Sequence, residues 1–208
     1  MLVTDASIEL VGESAFESCI KLARFDASSK SIGKNAFKGC WDLSDFNWLP
    51  LQSLAESAFE HSGLKKVYLP EAIDTIPQKC FTCCTKLNKL FLNKVKRVER
   101  EAFMMTDLSV LNLPISLEGI GAWSFGNCFR LANIICESPI PPIIMATSFA
   151  NDPIQNIWFF SEEQKERYLK NKQWQKLSDK MRGTTPKALE SYLKIEAEKE
   201  QWLLNGSK

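Results

Sequence analysis

The sequence predicts an elongated repeat solenoid that ends in a C-terminal helical cap. A phenylalanine returns at spacings of 21, 22, 22, 22, 22 and 24 residues, and each one follows an alanine, a cysteine or a serine. These phenylalanines are Phe16, Phe37, Phe59, Phe81, Phe103, Phe125 and Phe149. A fixed period this short is typical of stacked units, none of which can bury its apolar face alone. The repeat therefore indicates a curved array with long surfaces.

An apolar triplet marks a short strand in each unit. Leu64, Val67 and Leu69 have the spacing of a strand that ends at Pro70, because proline cannot donate to a strand ladder. The last two apolar positions alternate with outward-facing residues, which is the period of a half-buried strand. The triplet recurs as Leu22/Phe25/Ala27, Leu87/Leu90/Leu92, Leu108/Leu111/Leu113, Leu131/Ile134/Cys136 and Ile154/Ile157/Phe159.

A second apolar pair follows the strand, as at Ile73 and Ile76, and a one-turn helix is expected between this pair and the next phenylalanine. In the second unit, "LSDFNWLP" has one residue more than "LKKVYLP", so a bulge is expected. Residues 1–16 match only the latter half of a unit. Because terminal repeats normally need a polar cap, this end is expected to be covered by a partner or by sequence outside this chain.

Four of the seven cysteines lie three residues after the repeating phenylalanine. They are Cys19, Cys40, Cys84 and Cys128. This position predicts a buried ladder of reduced thiols, since cysteine packs as a small apolar residue. Three coils carry Ser62, Thr106 or Asp152 there instead. Those coils are expected to be looser or locally re-hydrogen-bonded.

Residues 161–180 are predicted to form a helix that covers the open end of the solenoid. Ser161 followed by "EEQ" is a capping box, and its acidic first turn suits the helix dipole. The sequence is accordingly divided into a solenoid domain at 1–160, with about seven coils, and a helical cap and extension at 161–208.

A second helix is predicted after Gly183. Thr185 and Pro186 form its N-cap and first position, and it is expected to run to about Leu204. Its apolar stripe is predicted to contain Leu189, Tyr192, Leu193, Ala197, Trp202 and Leu203. This side is expected to pack on the cap or to face another chain.

The pattern resembles the BspA-like, treponemal-type leucine-rich repeat over residues 1–160. The motif of that family is matched by "FGNCFRLANI" at 125–134 and "LNLPISLEGIGAWSF" at 111–125. The resemblance implies a leucine-rich-repeat solenoid with short parallel strands on the concave face and short helical turns and loops on the convex side. "IQNIWFFSEEQKERYLKNKQW" is similar to the terminal coil of bacterial members, whose helix carries a tyrosine and then a tryptophan, here Tyr168 and Trp174.

Outward-facing strand residues form the predicted binding strip on the concave face. The strip consists of Lys66, Tyr68, Lys89, Phe91, Asn112 and Trp158. Tyr68 and Phe91 are expected to lie side by side, exposed, near its middle. Adjacent exposed aromatic residues beside cations are typical of a protein-binding hot spot. Aromatic residues also favour strands without any binding role, and this alternative stays open.

Composition and motifs argue against several other functions. A net charge of +1 disfavours general attraction to nucleic acid or to an anionic membrane surface. His61 is the only histidine, which excludes a multi-histidine metal site, and no glycine loop for phosphate is present. No stretch approaches the roughly 18 apolar residues of a membrane span, and the N-terminus has no signal-peptide pattern. No cofactor, metal or membrane insertion is expected.

Cys80 and Cys83 formally make a CxxC motif, and Cys84 adds a third thiol. Redox or zinc chemistry would need exposed thiolates or four ligands. The repeat already explains Cys80 and Cys84, so a structural role is favoured. The basic stretch "NKVKRVER" is likewise interpreted as a solvated edge rather than an anion site.

The leading hypothesis is therefore a non-enzymatic protein-interaction module. The family resemblance implies a cell-surface or secreted protein that contacts host or matrix proteins. The alternative is a structural or assembly subunit, which would dock through its uncapped N-terminal coil and its C-terminal helix. A thiol enzyme centred on Cys80 and Cys83 is the third hypothesis.

Overall fold

The computed structural model describes residues 7–184 together with 190, 194, 195, 197, 198 and 201. In this part the chain winds into a parallel β-solenoid of about seven turns, which confirms the predicted fold class. Its strands are β1 Ser7–Val11, β2 Arg24–Phe25, β3 Ser28–Ile32, β4 Asp45–Phe46, β5 Ser53–Leu54, β6 Lys66–Tyr68, β7 Thr75–Ile76, β8 Lys89–Phe91, β9 Arg97–Val98, β10 Val110–Leu113, β11 Gly119–Ile120, β12 Asn133–Cys136, β13 Ile143–Ile144 and β14 Asn156–Phe159.

The strands form two separate faces. Even-numbered strands pair as β2–β4, β6–β8 and β10–β12–β14, and odd-numbered strands pair as β1–β3–β5 and β7–β9–β11–β13. We call these the even-strand and odd-strand faces. The apolar triplet of each unit supplies the first face, and the second apolar pair supplies the other, as where Ile76 pairs with Val98. Both apolar patterns of the sequence therefore form strands, one on each face.

The residues around each phenylalanine form a hydrogen-bonded turn, so the predicted one-turn helix is wrong. Ser57 and His61, two residues before and after Phe59, have φ angles of 54° and 57°. The amides of Ser57, Phe59 and His61 donate to carbonyls of the next coil at 3.1, 2.8 and 2.9 Å. A helix would direct these amides to its own preceding turn. The left-handed residues instead turn every second amide toward the neighbouring coil.

The repeating phenylalanines form one continuous column inside the solenoid. Their rings stack at centroid distances of 5.1 to 5.7 Å, within the range of favourable offset stacking. The five rings from Phe37 to Phe125 are completely buried. In the longer second unit, Trp48 is also buried, with its ring 4.7 Å from Phe46 and 5.3 Å from Phe59.

The cap consists of α1, Glu162–Lys170, and a 3₁₀ helix, Trp174–Lys180, rather than one helix over 161–180. The predicted N-cap is confirmed, because the Ser161 hydroxyl accepts from the amide of Gln164 at 3.1 Å. The break lies at Asn171, whose backbone is extended and whose side chain accepts from the amide of Gln173 at 3.0 Å. This local bond competes with continuation of the helix.

Two aromatic residues attach the cap to the last coil. Tyr168 and Trp174 are completely buried, and their rings lie 4.8 Å from Phe159 and 6.3 Å from Phe149 respectively. The Tyr168 hydroxyl donates to the carbonyl of Ser138 at 3.0 Å. The cap and the last coil therefore share buried contacts. The division into two domains at residue 160 remains a prediction.

Only part of the second predicted helix lies among the described residues. The predicted ends at Thr185 and Leu204 and most of its apolar stripe lie outside them. The described residues of this C-terminal segment are Glu190, Lys194, Ile195, Ala197, Glu198 and Gln201, and all six are helical.

Candidate interaction site

The structure brings the central residues of the predicted strip together on the even-strand face. Lys66 lies opposite Lys89, and Tyr68 lies opposite Phe91, on the paired strands β6 and β8. The two rings stack at a centroid distance of 4.6 Å. Further along, Asn112 and Trp158 flank Ile135 in the register of β10, β12 and β14. The predicted register is thus confirmed.

The predicted exposure of the aromatic pair is wrong. Tyr68 and Phe91 are each only 7% exposed. Their inward neighbours are the strand anchors, so burial of the outward rings needs a second covering element. The C-terminal segment supplies it, because Ile195 lines the same cavity as Phe91, and Glu198 lies close enough to influence the pKa of Tyr68.

The exposure of the C-terminal segment shows which side contacts the strip. Glu190, Lys194, Ala197 and Gln201 are exposed, whereas Ile195 and Glu198 are half-buried. Residues three apart lie on one helix face, so Ile195 and Glu198 share the contacting face. The predicted apolar stripe omitted Ile195, which packs against the core, so the stripe was incomplete at this position. Ala197, which the stripe included, is exposed.

An ion pair also connects the C-terminal segment to the strip. The Lys89 ammonium forms an ion pair with the Glu198 carboxylate, and their side chains are 37% and 28% exposed. Burial, and then the negative charge of Glu198, raises the pKa of Tyr68. Lys66, in the equivalent position one coil earlier, is exposed, and the described residues place no acidic partner beside it.

A small cavity of about 30 Å³ lies between the strip and the segment, lined in part by Phe91, Asn112 and Ile195. The Asn112 amide donates to the Glu137 carboxylate. Among the described residues, no donor reaches the buried Asn112 Oδ1. A cavity of this size is large enough for one water molecule, and its polar lining could bind it.

The strip is more polar at its C-terminal end. The indole of Trp158 is half-buried and donates to Asn133 Oδ1 at 3.4 Å. Asn156 donates to the same oxygen at 3.0 Å, and Arg182 donates to Asn156 at 3.3 Å. The predicted strip therefore consists of a covered aromatic centre, a hydrogen-bonded polar end and the exposed Lys66.

The cysteine ladder is present from the second coil onward. The thiols of Cys40, Cys84 and Cys128 are buried and donate to the carbonyl of the preceding coil's phenylalanine at 3.0, 3.0 and 3.3 Å. Burial raises the pKa of each to about 12. Cys19 is exposed, contrary to the prediction, because it lies in the first described coil, where no described residue covers its outer side.

Alkylation under native conditions should therefore separate these thiols. Cys19 is expected to react quickly with iodoacetamide, whereas Cys40, Cys84 and Cys128 should react only after unfolding, because a buried protonated thiol is a poor nucleophile. Peptide mass spectrometry before and after urea treatment measures this. Labelling of Cys84 at the rate of Cys19 would contradict the ladder.

The CxxC residues do not have the properties of catalytic thiols. Cys80 and Cys84 are buried and Cys83 is half-buried. Burial is the main cause that raises the pKa of all three, whereas a nucleophilic cysteine needs a lowered pKa. Among the described residues, no group of His, Cys, Asp and Glu side chains is arranged to hold a metal. His61 instead stacks on Trp41 at 5.6 Å.

The substituted ladder positions are re-hydrogen-bonded, as one of the two alternatives predicted. Ser62 bonds to Cys84 at 3.3 Å, and Thr106 bonds to Cys128 at 3.2 Å. Asp152 accepts from the Cys128 amide at 2.8 Å through Oδ1, while its buried Oδ2 has no partner among the described residues. Burial raises the pKa of Asp152 to about 7.

Asp152→Asn is expected to stabilise the protein above neutral pH. Because the folded pKa exceeds the ordinary value of 3.8, the stability linked to this carboxyl is complete below about pH 4 and is lost as the pH rises through 7. Partial hydration limits the expected gain at pH 8 to on the order of 1–2 kcal/mol. Thermal melts at pH 4 and pH 8 measure it, with the exposed Glu71→Gln as control. An equal gain at both pH values would contradict the assignment.

Comparison with known proteins assigns the repeat. The profile of the BspA type leucine rich repeat region matches residues 9–132 in six copies. A leucine rich cell surface protein from Faecalibacterium prausnitzii A2-165 is 28% identical, with a TM-score of 0.59 over 64% of this chain and 38% of that chain. No curated protein matches this chain.

Two further solved structures are more distant. A leucine-rich repeat protein from Bacteroides ovatus ATCC 8483 is 17% identical, with a TM-score of 0.39 over 76% of this chain and 61% of that chain. The pneumococcal vaccine antigen PcpA is 20% identical, with a TM-score of 0.45 over 76% of this chain and 37% of that chain. The match thus covers less than two thirds of each of the three solved chains. Within the described ranges, no helix combines the length and apolar character needed to cross a membrane.

Proposed function

Because the chain belongs to the BspA-type leucine-rich repeat family, we propose that it is a non-enzymatic module that binds a protein ligand through its even-strand face. The stacked pair of Tyr68 and Phe91, beside Lys66 and Lys89, is the observation that carries this proposal. Paired aromatic rings next to cations supply the apolar area and the charge that interface hot spots use. Asn112 and Trp158 would extend the contact along the strip.

The proposed location is the cell surface or the extracellular space. The solved structure with a TM-score of 0.59 belongs to a protein described as a cell surface protein, and it shares 28% identity with this chain. A host or extracellular-matrix protein is the ligand class that fits such a location.

Tyr68→Ser combined with Phe91→Ser tests the site. The double variant is expected to weaken ligand binding by about 2 kcal/mol, which is roughly thirtyfold. Both rings are 7% exposed, so removing the two of them should also cost about 3–6 kcal/mol of stability in total. Surface plasmon resonance against a panel of purified matrix proteins measures affinity, and urea denaturation measures stability.

Phe129→Ser is the matched control, because Phe129 is 67% exposed and lies outside the strip. It should change neither quantity. If a matrix protein binds the wild type and the folded double variant equally well, the binding site lies elsewhere on the chain.

A second candidate function, assembly with another chain, rests on the N-terminal coil. Leu10 and Ile20 are 60% and 51% exposed there, and Phe16 is only half-buried. Exposed apolar residues at the end of a solenoid favour association. Size-exclusion chromatography with light scattering distinguishes the two functions. A stable monomer supports the ligand-binding module, whereas a dimer that Ile20→Asp dissociates supports assembly.

A further inference from the structure

We infer that the C-terminal segment is an internal occupant of the proposed binding surface, and that the external ligand competes with it by presenting an acidic and an aliphatic side chain on one helix face. This inference rests on the proposed function, because it identifies the ligand chemistry of the same strip. It also adds a property of the chain itself, namely that the strip is covered until the segment leaves.

The contacts of two residues define the ligand chemistry. Glu198 places a carboxylate on the Lys89 ammonium, and Ile195 lines the cavity beside Phe91. A ligand helix with the same spacing of three residues would satisfy both contacts at once. A basic or wholly apolar ligand would leave the Lys89 ammonium unpaired under the covering element, which is costly for a partly buried charge.

Coverage makes the two occupants mutually exclusive. Tyr68 and Phe91 are each 7% exposed, so a ligand cannot reach their rings while the segment remains in place. The apparent affinity for an external ligand is then the intrinsic affinity multiplied by the fraction of molecules with an open strip. A substitution that releases the segment without altering the strip should therefore increase ligand binding.

Charge substitutions in the full chain test the cover. Chymotrypsin cleaves after aromatic residues and leucine, so its sites at 189–203 are unchanged by substitution at Lys89 or Glu198. Lys89→Glu and Glu198→Lys should each raise the cleavage rate in this region by about threefold to tenfold, and the double variant should restore the wild-type rate. Lys21→Glu, at an exposed lysine of the first described coil and outside the strip, is the matched control and should leave the rate unchanged. Equal rates in all five proteins would overturn the cover.

A synthetic peptide of residues 185–208 tests the ligand chemistry. In the full chain carrying Glu198→Lys, the released strip should bind the fluorescent wild-type peptide at least about threefold more tightly than a peptide with the same Glu198→Lys change. Anisotropy measures both affinities, and equal affinities would overturn the acidic-ligand assignment. The proposed function fails separately, if the Tyr68→Ser and Phe91→Ser variant retains matrix-protein binding while the cleavage pattern is as expected.

Discussion

Phe103→Ala is expected to lower the free energy of unfolding by about 3–5 kcal/mol. Phe103 is completely buried, and its ring stacks at 5.1 Å on Phe81 and at 5.3 Å on Phe125. The substitution removes apolar contacts with both neighbouring coils and leaves a cavity that the turns, fixed by coil-to-coil hydrogen bonds, cannot close. Urea denaturation followed by circular dichroism measures the loss.

Phe129→Ala is the control for this prediction, because the same change at a 67% exposed position should cost less than about 0.5 kcal/mol. A loss below about 1 kcal/mol for Phe103→Ala would mean that the column does not carry the stability of the solenoid. Since each coil contacts only its neighbours, the variant is also expected to separate the transition into two steps.

Trp174→Ala is expected to destabilise the protein by about 3–5 kcal/mol. The indole is completely buried against Tyr168 at 4.9 Å, and its Nε1 donates to the carbonyl of Pro142 at 2.8 Å. Removing the ring opens the last coil and leaves that carbonyl without its donor. Differential scanning calorimetry and size-exclusion chromatography should show a lower melting temperature and aggregation.

Trp174→Phe separates packing from hydrogen bonding. It keeps most of the apolar volume and loses the donor, so a smaller loss of about 1–2 kcal/mol is expected. An unchanged melting temperature in Trp174→Ala would show that the cap does not stabilise the last coil.

The repeat made the solenoid predictable, because the same residue recurs at the same position in seven units. A phenylalanine found once could be core or surface, but one that returns with a fixed period must occupy equivalent sites in stacked coils. The same argument located Cys84 and Cys128 and set the register of Lys66 against Lys89, which the structure confirms. It was wrong for Cys19, because among the described residues no coil precedes the first one and covers the side that is buried in its equivalents.

Several features without a repeated counterpart were not predictable from the period. α1 ends at Asn171, whose side chain accepts from the backbone amide of Gln173. Such a local bond cannot be read from the period of the repeat. The contact between Lys89 and Glu198 joins residues 109 positions apart, and it occurs once. Alternation identified the face on which Tyr68 and Phe91 lie, but it could not show that another segment covers that face.

The left-handed turns also give the solenoid a net dipole along its axis. The amides of Ser57, Phe59 and His61 all point toward the following coil, and the amides of Lys79, Phe81 and Cys83 do the same one coil later. Aligned peptide dipoles add, so this column of turns has partial positive charge toward its C-terminal end and partial negative charge toward its N-terminal end, the reverse of an α-helix. The dipoles therefore favour a head-to-tail over a head-to-head approach of two such columns.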